Sequence, residues 1–211
     1  MKIIDNNGRL FGKISVIDVL VILVVAEMAF ALHVKNNSLS VTSTNAPGTA
    51  INYPVVQGTD NEYYLKRMLD GRSNGAGTIF MDCRNDAAMT DFNTILYGHN
   101  MKNGSMFGYL TRYRNQGWYD THPVMWLVTP EEVYQIDVLA GRTVKADDAA
   151  YTIYNSEETF QAWLTDFVSK SDFRSETAVE DAAQVIALST CTYTYEYCCI
   201  WVSRKSCFTV C

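Results

Sequence analysis

The sequence predicts a mainly β domain, a closed barrel with peripheral helices, set behind an N-terminal membrane helix. Three observations carry this. From Ile51 onward, short apolar runs alternate with turn residues, the pattern of many short strands. One segment, 156–170, shows a sustained helical repeat. Residues 14–34 form a 21-residue, mostly apolar stretch, long enough to cross a bilayer at about 1.5 Å rise per residue.

Lys2, Arg9 and Lys13 precede the apolar stretch, and Lys35 closely follows it. The excess of positive charge on the leading side places residues 1–13 in the cytoplasm and the domain outside. Asp18 and Glu27 interrupt the stretch, each costly at mid-membrane; a buried soluble helix is the competing reading. No small-residue cleavage site stands out, so the helix reads as an uncleaved anchor. Residues 35–48 are rich in Asn, Ser and Thr and read as a linker. Residues 49–211 are the domain, and with the linker the part beyond the membrane segment, about 175 residues, is large enough to bury a core.

Within the domain, 55–57 precede a Gly-Thr-Asp turn, and 61–69 give one or two helical turns. Residues 77–82 and 93–97 read as strands. A short helix at 105–112 turns Met106, Phe107 and Leu110 inward, and 124–128 with 132–140 form a hairpin around Pro130. In the segment 156–170, Ser156 is an N-cap residue followed by Glu157 and Glu158, acidic groups at the positive end of the helix dipole. Phe160, Trp163, Leu164, Phe167 and Val168 recur at helical spacing, which packs this helix against the barrel. Residues 185–191 and 199–202 supply the last strands.

The net charge is −6, which excludes a broad nucleic-acid footprint. Thirteen Tyr, nine Phe and four Trp suit strands. Of six cysteines, Cys198, Cys199, Cys207 and Cys211 crowd the last fourteen residues. Their spacing fits no zinc site, their pairing is not deducible from sequence, and the reading calls for no metal or cofactor.

Cys191 ends the apolar run 185–191, beside Ser189 and Thr190. Ninety-two residues upstream, His99 follows the strand-like 93–97. A thiol and an imidazole at strand ends, distant in sequence, suggest a nucleophile and its proton partner joined by the fold. An adjacent imidazolium favours the thiolate, which is the attacking species. His33 and His122 read as surface residues.

The segments Tyr97-Gly98-His99-Asn100-Met101-Lys102-Asn103-Gly104-Ser105-Met106-Phe107, Leu188-Ser189-Thr190-Cys191 and Ile51-Asn52-Tyr53-Pro54-Val55-Val56-Gln57 resemble class B sortases. These are membrane-anchored cysteine transpeptidases of Gram-positive bacteria. The likeness runs from about Ile51 to Val202, with three motifs in order. It implies a sortase-like barrel, with a helix between late strands that separates class B from the minimal barrel. It also implies an N-terminal helix and a first strand before Ile51, neither of which the sequence shows; the linker stands in their place.

The resemblance implies that Cys191 attacks a Thr carbonyl in a sorting-signal peptide and that His99 protonates the leaving amine. The acyl group then passes to an amine of a cell-wall precursor or a pilin. Ser189 and Thr190 either line the substrate groove or finish the strand; Asn100 either orients His99 or caps a turn. The family's third residue is an arginine on the strand after the nucleophile. Here that position is Cys199, or Cys198 if the alignment shifts by one. Arg204 lies five residues beyond Cys199, an odd offset that places it on the opposite face. Arg84 and Arg142 remain as sources of a guanidinium.

The missing arginine makes a catalytically impaired homologue that binds sorting-signal peptides the first rival. A thiol-redox or metal-binding surface protein using the C-terminal cysteines is the second. A papain-like hydrolase fits poorly, since its nucleophile sits at the start of a helix.

Overall fold

The computed structural model describes residues 9–10, 14–15, 42–130, 132–145, 147–191 and 197–208, with 9–15, 42–43, 191 and 197–208 described by backbone alone. The chain divides into two units, Met1–Ser38 and Leu39–Cys211.

In the first unit, β1 (Arg9–Leu10) pairs antiparallel with β2 (Ile14–Ser15). Ile14 and Ser15, expected to open the membrane helix, therefore lie in a strand, where a β-branched residue is at home. The rest of 14–34 lies outside the described residues. Among the described residues, no helix is long and apolar enough to cross a membrane.

The second unit is an eight-stranded closed barrel of β3 (Thr42–Asn45), β4 (Asn52–Gln57), β5 (Ile79–Met81), β6 (Asn93–Tyr97), β7 (Val124–Val128), β8 (Val133–Val144), β9 (Val185–Cys191) and β10 (Tyr197–Phe208). Around the barrel the order is β10-β8-β7-β3-β4-β5-β6-β9. Pairs β4–β5 and β6–β9 are parallel. The hairpin expected around Pro130 is present, with Val124 opposite Asp137 and Val128 opposite Val133.

β3 corrects the linker reading. Thr42–Asn45 is a strand between β4 and β7, and Thr44 is buried. This strand, Thr-Ser-Thr-Asn, has no apolar alternation to reveal it. Its β-branched threonines and its ladder on both sides are what make it a strand.

Among the described residues, two α-helices accompany the barrel: α1 (Gln116–Thr121) and α2 (Glu157–Ser169). Ser156 occupies the N-cap of α2 but makes no side-chain cap hydrogen bond there; Glu157 and Glu158 still complement the dipole. Phe160, Leu164 and Phe167 are buried. They pack against Ile95 of β6, Leu139 and Ala140 of β8, and Val185 and Ala187 of β9. The alternate residues Leu96, Ile186 and Leu188 join the other core cluster with Ile79, Leu127, Ile136 and Val138. β6 and β9 are thus covered on both faces. That is why β9 reads as a continuous apolar run from Val185 to Leu188, as buried parallel strands do, while β6 opens on the buried polar Asn93 and Thr94. The segment 61–69 holds one helical turn, a 3₁₀ turn at Tyr63–Lys66, and the short helix expected at 105–112 is a 3₁₀ helix at Gly108–Arg114.

Candidate functional site

β6 and β9 lie in parallel register, with Asn93 opposite Val185 and Tyr97 opposite Ser189. The pairing continues one step, because Gly98 N–H donates to the Ser189 carbonyl at 3.0 Å. His99 stands two residues beyond Tyr97, and Cys191 two residues beyond Ser189. The two reactive residues therefore reach the same end of adjacent strands at the same level. Position 191 falls on the face of β9 that carries Ser189. The Cys191 side chain itself lies outside the described residues.

Gly98 is required by packing. A Cβ there would sit 2.4 Å from Ile79 Cδ1 and 2.6 Å from Phe107 Cδ2, so a larger residue would displace the segment that delivers His99. The chain beyond is closed on itself: Phe107 N–H donates to the His99 carbonyl at 3.0 Å, and Asn100 bridges to Met106.

A cavity of about 510 Å³ opens at this end of the barrel, lined by His99, Ser189 and Thr190 together with Asn61, Leu65, Phe80, Arg84, Tyr97, Gly98 and Tyr151. Of the residues singled out from sequence, His99, Ser189 and Thr190 are brought together. Asn100 is not, for it lines a neighbouring groove. The Ser189 hydroxyl and the Tyr151 hydroxyl lie 2.9 Å apart. Thr190 Oγ1 is buried with no hydrogen-bond partner among the described residues.

Tyr151, which sequence reasoning missed, is held over the cavity from two sides. Asn93 Nδ2 donates to the Thr152 carbonyl at 2.7 Å, and Tyr154 N–H donates to Asn93 Oδ1 at 3.0 Å. Arg84 Nη2 donates to the Tyr151 carbonyl at 3.1 Å. The rings of Tyr97 and Tyr151 stack with centroids 6.4 Å apart.

Beneath them, Arg84 grips Asp82 through Nε at 2.9 Å and Nη2 at 2.7 Å, and the Tyr97 hydroxyl donates to Asp82 Oδ2 at 2.8 Å. Burial works against ionisation of Asp82. Hydrogen bonds from the Arg84 guanidinium and amide, Tyr97 and Asn61 outweigh it and hold the carboxyl at about 2. The signal available in sequence was Asp82-x-Arg84 just past a strand end.

A folded-state pKa below the ordinary 3.8 means stability that is present above that value and lost as pH falls toward about 2. Asp82→Asn is expected to lower stability at pH 7 by about 2 kcal/mol, the worth of that depression. Arg84, left behind, is half exposed and stays hydrated, which keeps the loss from growing further. Urea unfolding at pH 7 and near pH 2 checks this: the gap between wild type and variant shrinks at the lower pH.

His99 is half-buried. Burial first, and then the Lys66 cation, push its imidazole below the ordinary 6.5. Removing the cation removes only the second cause. Lys66→Gln is therefore expected to raise the His99 pKa part of the way back, read by NMR titration of the ring. An unchanged or lower value would contradict the assigned cause.

Of the two arginines left open by the sequence, Arg84 lines the cavity. Arg142 instead pairs with Asp148 at 3.2 Å and lies over the Phe167 ring at 4.6 Å. Cys199 pairs with Ser189 on β9 and with Arg142 on β8, and Cys198 pairs with Thr190 and Thr143. Directly paired residues share a face, so position 199 belongs to the face that carries Ser189 and position 191. The side chains of Cys198, Cys199 and Cys207, and all of Cys211, lie outside the described residues.

A sortase domain family matches residues 45–204. The chain belongs to the sortase family. A second family, described as a domain of unknown function (DUF4330), matches residues 1–70. This sortase chain is 33% identical over 149 residues to sortase B of Staphylococcus aureus (strain NCTC 8325 / PS 47), covering 70% of this chain and 61% of that protein. It therefore spans less than two thirds of that relative's length. Among solved structures it is similar to a Staphylococcus aureus sortase B–substrate complex, with a TM-score of 0.73 and 29% identity over 86% of this chain and 85% of that one. It is equally similar to a sortase B complexed with triglycine, with a TM-score of 0.73 and 28% identity over 86% of each. The class B resemblance carried by the three sequence motifs is thereby borne out.

Proposed function

We propose that this sortase is a cysteine transpeptidase acting on a C-terminal sorting signal. The observation that carries this is the parallel register of β6 and β9, which brings His99 and position 191 to one end of the barrel beside a cavity. The Cys191 thiolate attacks the carbonyl carbon of a Thr in the signal peptide. The tetrahedral intermediate collapses as the His99 imidazolium gives its proton to the departing amine, leaving a thioester. An acceptor amine then attacks the thioester, passes its proton to His99 and releases the thiolate, so a new amide bond replaces the old one. A relative's complex with substrate and another's with triglycine support a peptide donor and an amine acceptor. The acceptor belongs to a cell-wall precursor or a pilin. In this reading the remainder of the expected anchor, residues 16–34, holds the chain in the membrane with the domain outside, as the flanking charges favour.

The second reading is an impaired homologue that binds signal peptides without turning them over. Cysteine at the expected arginine position favours it, since losing one donor to the developing oxyanion typically costs about 10²–10³ in rate. Turnover of a fluorogenic sorting-signal peptide, with and without triglycine, separates the two. Product that incorporates triglycine supports the transpeptidase; binding without product supports the homologue. The redox or metal alternative rests on cysteine side chains outside the described residues.

A further inference from the structure

His99 and Asn100 are consecutive, yet they open onto different hollows. His99 lines the cavity already described. Asn100 lines a second groove of about 620 Å³ with Met101, Lys102, Tyr109, Arg112 and Arg114. Among the described residues lining this groove, three are cations and none is a carboxylate, in a chain of net charge −6.

The groove is built on tight backbone. Gly104, at φ +80°, closes a turn by donating to the Met101 carbonyl at 2.9 Å. Gly108 packs so closely that a Cβ would sit 2.6 Å from the Met101 oxygen. The Arg112 guanidinium lies over the rings of Tyr109 and Trp118, at 4.4 and 4.8 Å from their centroids. Stacking occupies the flat faces of the group and leaves its N–H edge for a planar anion. Among the described residues, no carboxylate stands within ion-pair distance of Arg112, and Arg114 meets one, Asp172, only at 4.0 Å.

We propose that this groove binds the acyl acceptor, and that the acceptor carries carboxylate or phosphate groups set apart from its reacting amine. The assignment to the acceptor rests on the transpeptidase reading. With the donor held as a thioester in the first cavity, the amine must approach His99 from another side, and the second groove begins one residue away. Three cations repel an ammonium, so the amine itself does not sit among them. Anionic groups do, and guanidinium forks match carboxylate and phosphate geometry.

The test uses the full chain and three labelled peptides: triglycine followed by three glutamines, three glutamates or three phosphoserines. Binding is read by fluorescence anisotropy at low ionic strength. The acidic or the phosphorylated peptide is expected to bind about tenfold tighter than the glutamine peptide, a modest factor because exposed charges are screened. Whichever of the two binds more tightly names the anion. Arg112→Gln/Arg114→Gln is expected to cut the advantage to about twofold or less. Should that variant misfold, Arg114→Gln alone, on a largely exposed side chain, is expected to lower it about threefold. Equal binding of the three peptides, or a preference that survives the substitutions, overturns the proposal. Transfer to triglycine without any charge preference overturns the groove and leaves the transpeptidase standing. An arginine-dependent preference without any transfer product leaves an anion-binding groove and overturns the transpeptidase.

Discussion

Cys191→Ala is expected to abolish acyl transfer, a loss of at least about 10⁴-fold of the kind seen when a nucleophile that works with a partnered base is removed. No other described group at the cavity offers a thioester. The Ser189 hydroxyl is engaged with Tyr151 at 2.9 Å, and Thr190 Oγ1 is buried. The fold should tolerate the change. Position 191 is the last residue of β9, and its backbone pairing with Tyr197 does not depend on the side chain. The checks are fluorogenic turnover, mass spectrometry of the acyl-enzyme and thermal unfolding of the same sample. A folded variant that still cleaves peptide at the wild-type rate would remove Cys191 from the mechanism.

The second large effect runs the other way. Cys199→Arg is expected to raise the acyl-transfer rate, by up to about 10²-fold on the figure for one oxyanion donor. Position 199 pairs directly with Ser189, so an arginine there starts from the face that carries Ser189 and position 191. Cys198→Arg is the control, because it pairs with Thr190 and so starts from the face of β9 opposite to the one that carries position 191. The new guanidinium would stand beside Arg142 across the ladder. Paired like charges cost up to about 1 kcal/mol, but Asp148 already balances Arg142. The expectation fails if neither substitution increases the rate. A gain from Cys198→Arg alone would mean that the register at the cavity is shifted by one. Arg84, the one arginine described at the cavity wall, is the residue to substitute next if the wild-type rate is already that of an ordinary sortase.

Much of the architecture was readable in the chain because it rests on local pattern. The 3.6-residue repeat of Phe160, Leu164 and Phe167 marks α2, and the run 185–191 marks β9, since burial on both faces demands apolar residues throughout. The motif ending at His99 was readable because its glycine answers a steric demand at one point. β3 was not readable, because a strand of Thr, Ser and Asn is specified by the neighbours that pair with it and carries no apolar period of its own. Tyr151 was missed as a cavity residue, and Arg84 was left as one of two open arginines, for a related reason. Their role arises from contacts across 67 residues of chain, from Arg84 to Tyr151, which no local spacing encodes.

The amino-acid order alone pointed to Cys191 and His99 as the candidate reacting pair and marked α2 and most of the barrel strands, since side-chain type and short-range periodicity are properties of the chain. The parallel register of β6 and β9, the burial that pushes His99 below its ordinary pKa, and the separation of His99 and Asn100 into two hollows came only with the closed barrel. Each depends on which distant strand lies alongside, and that is decided by packing the whole domain around one core.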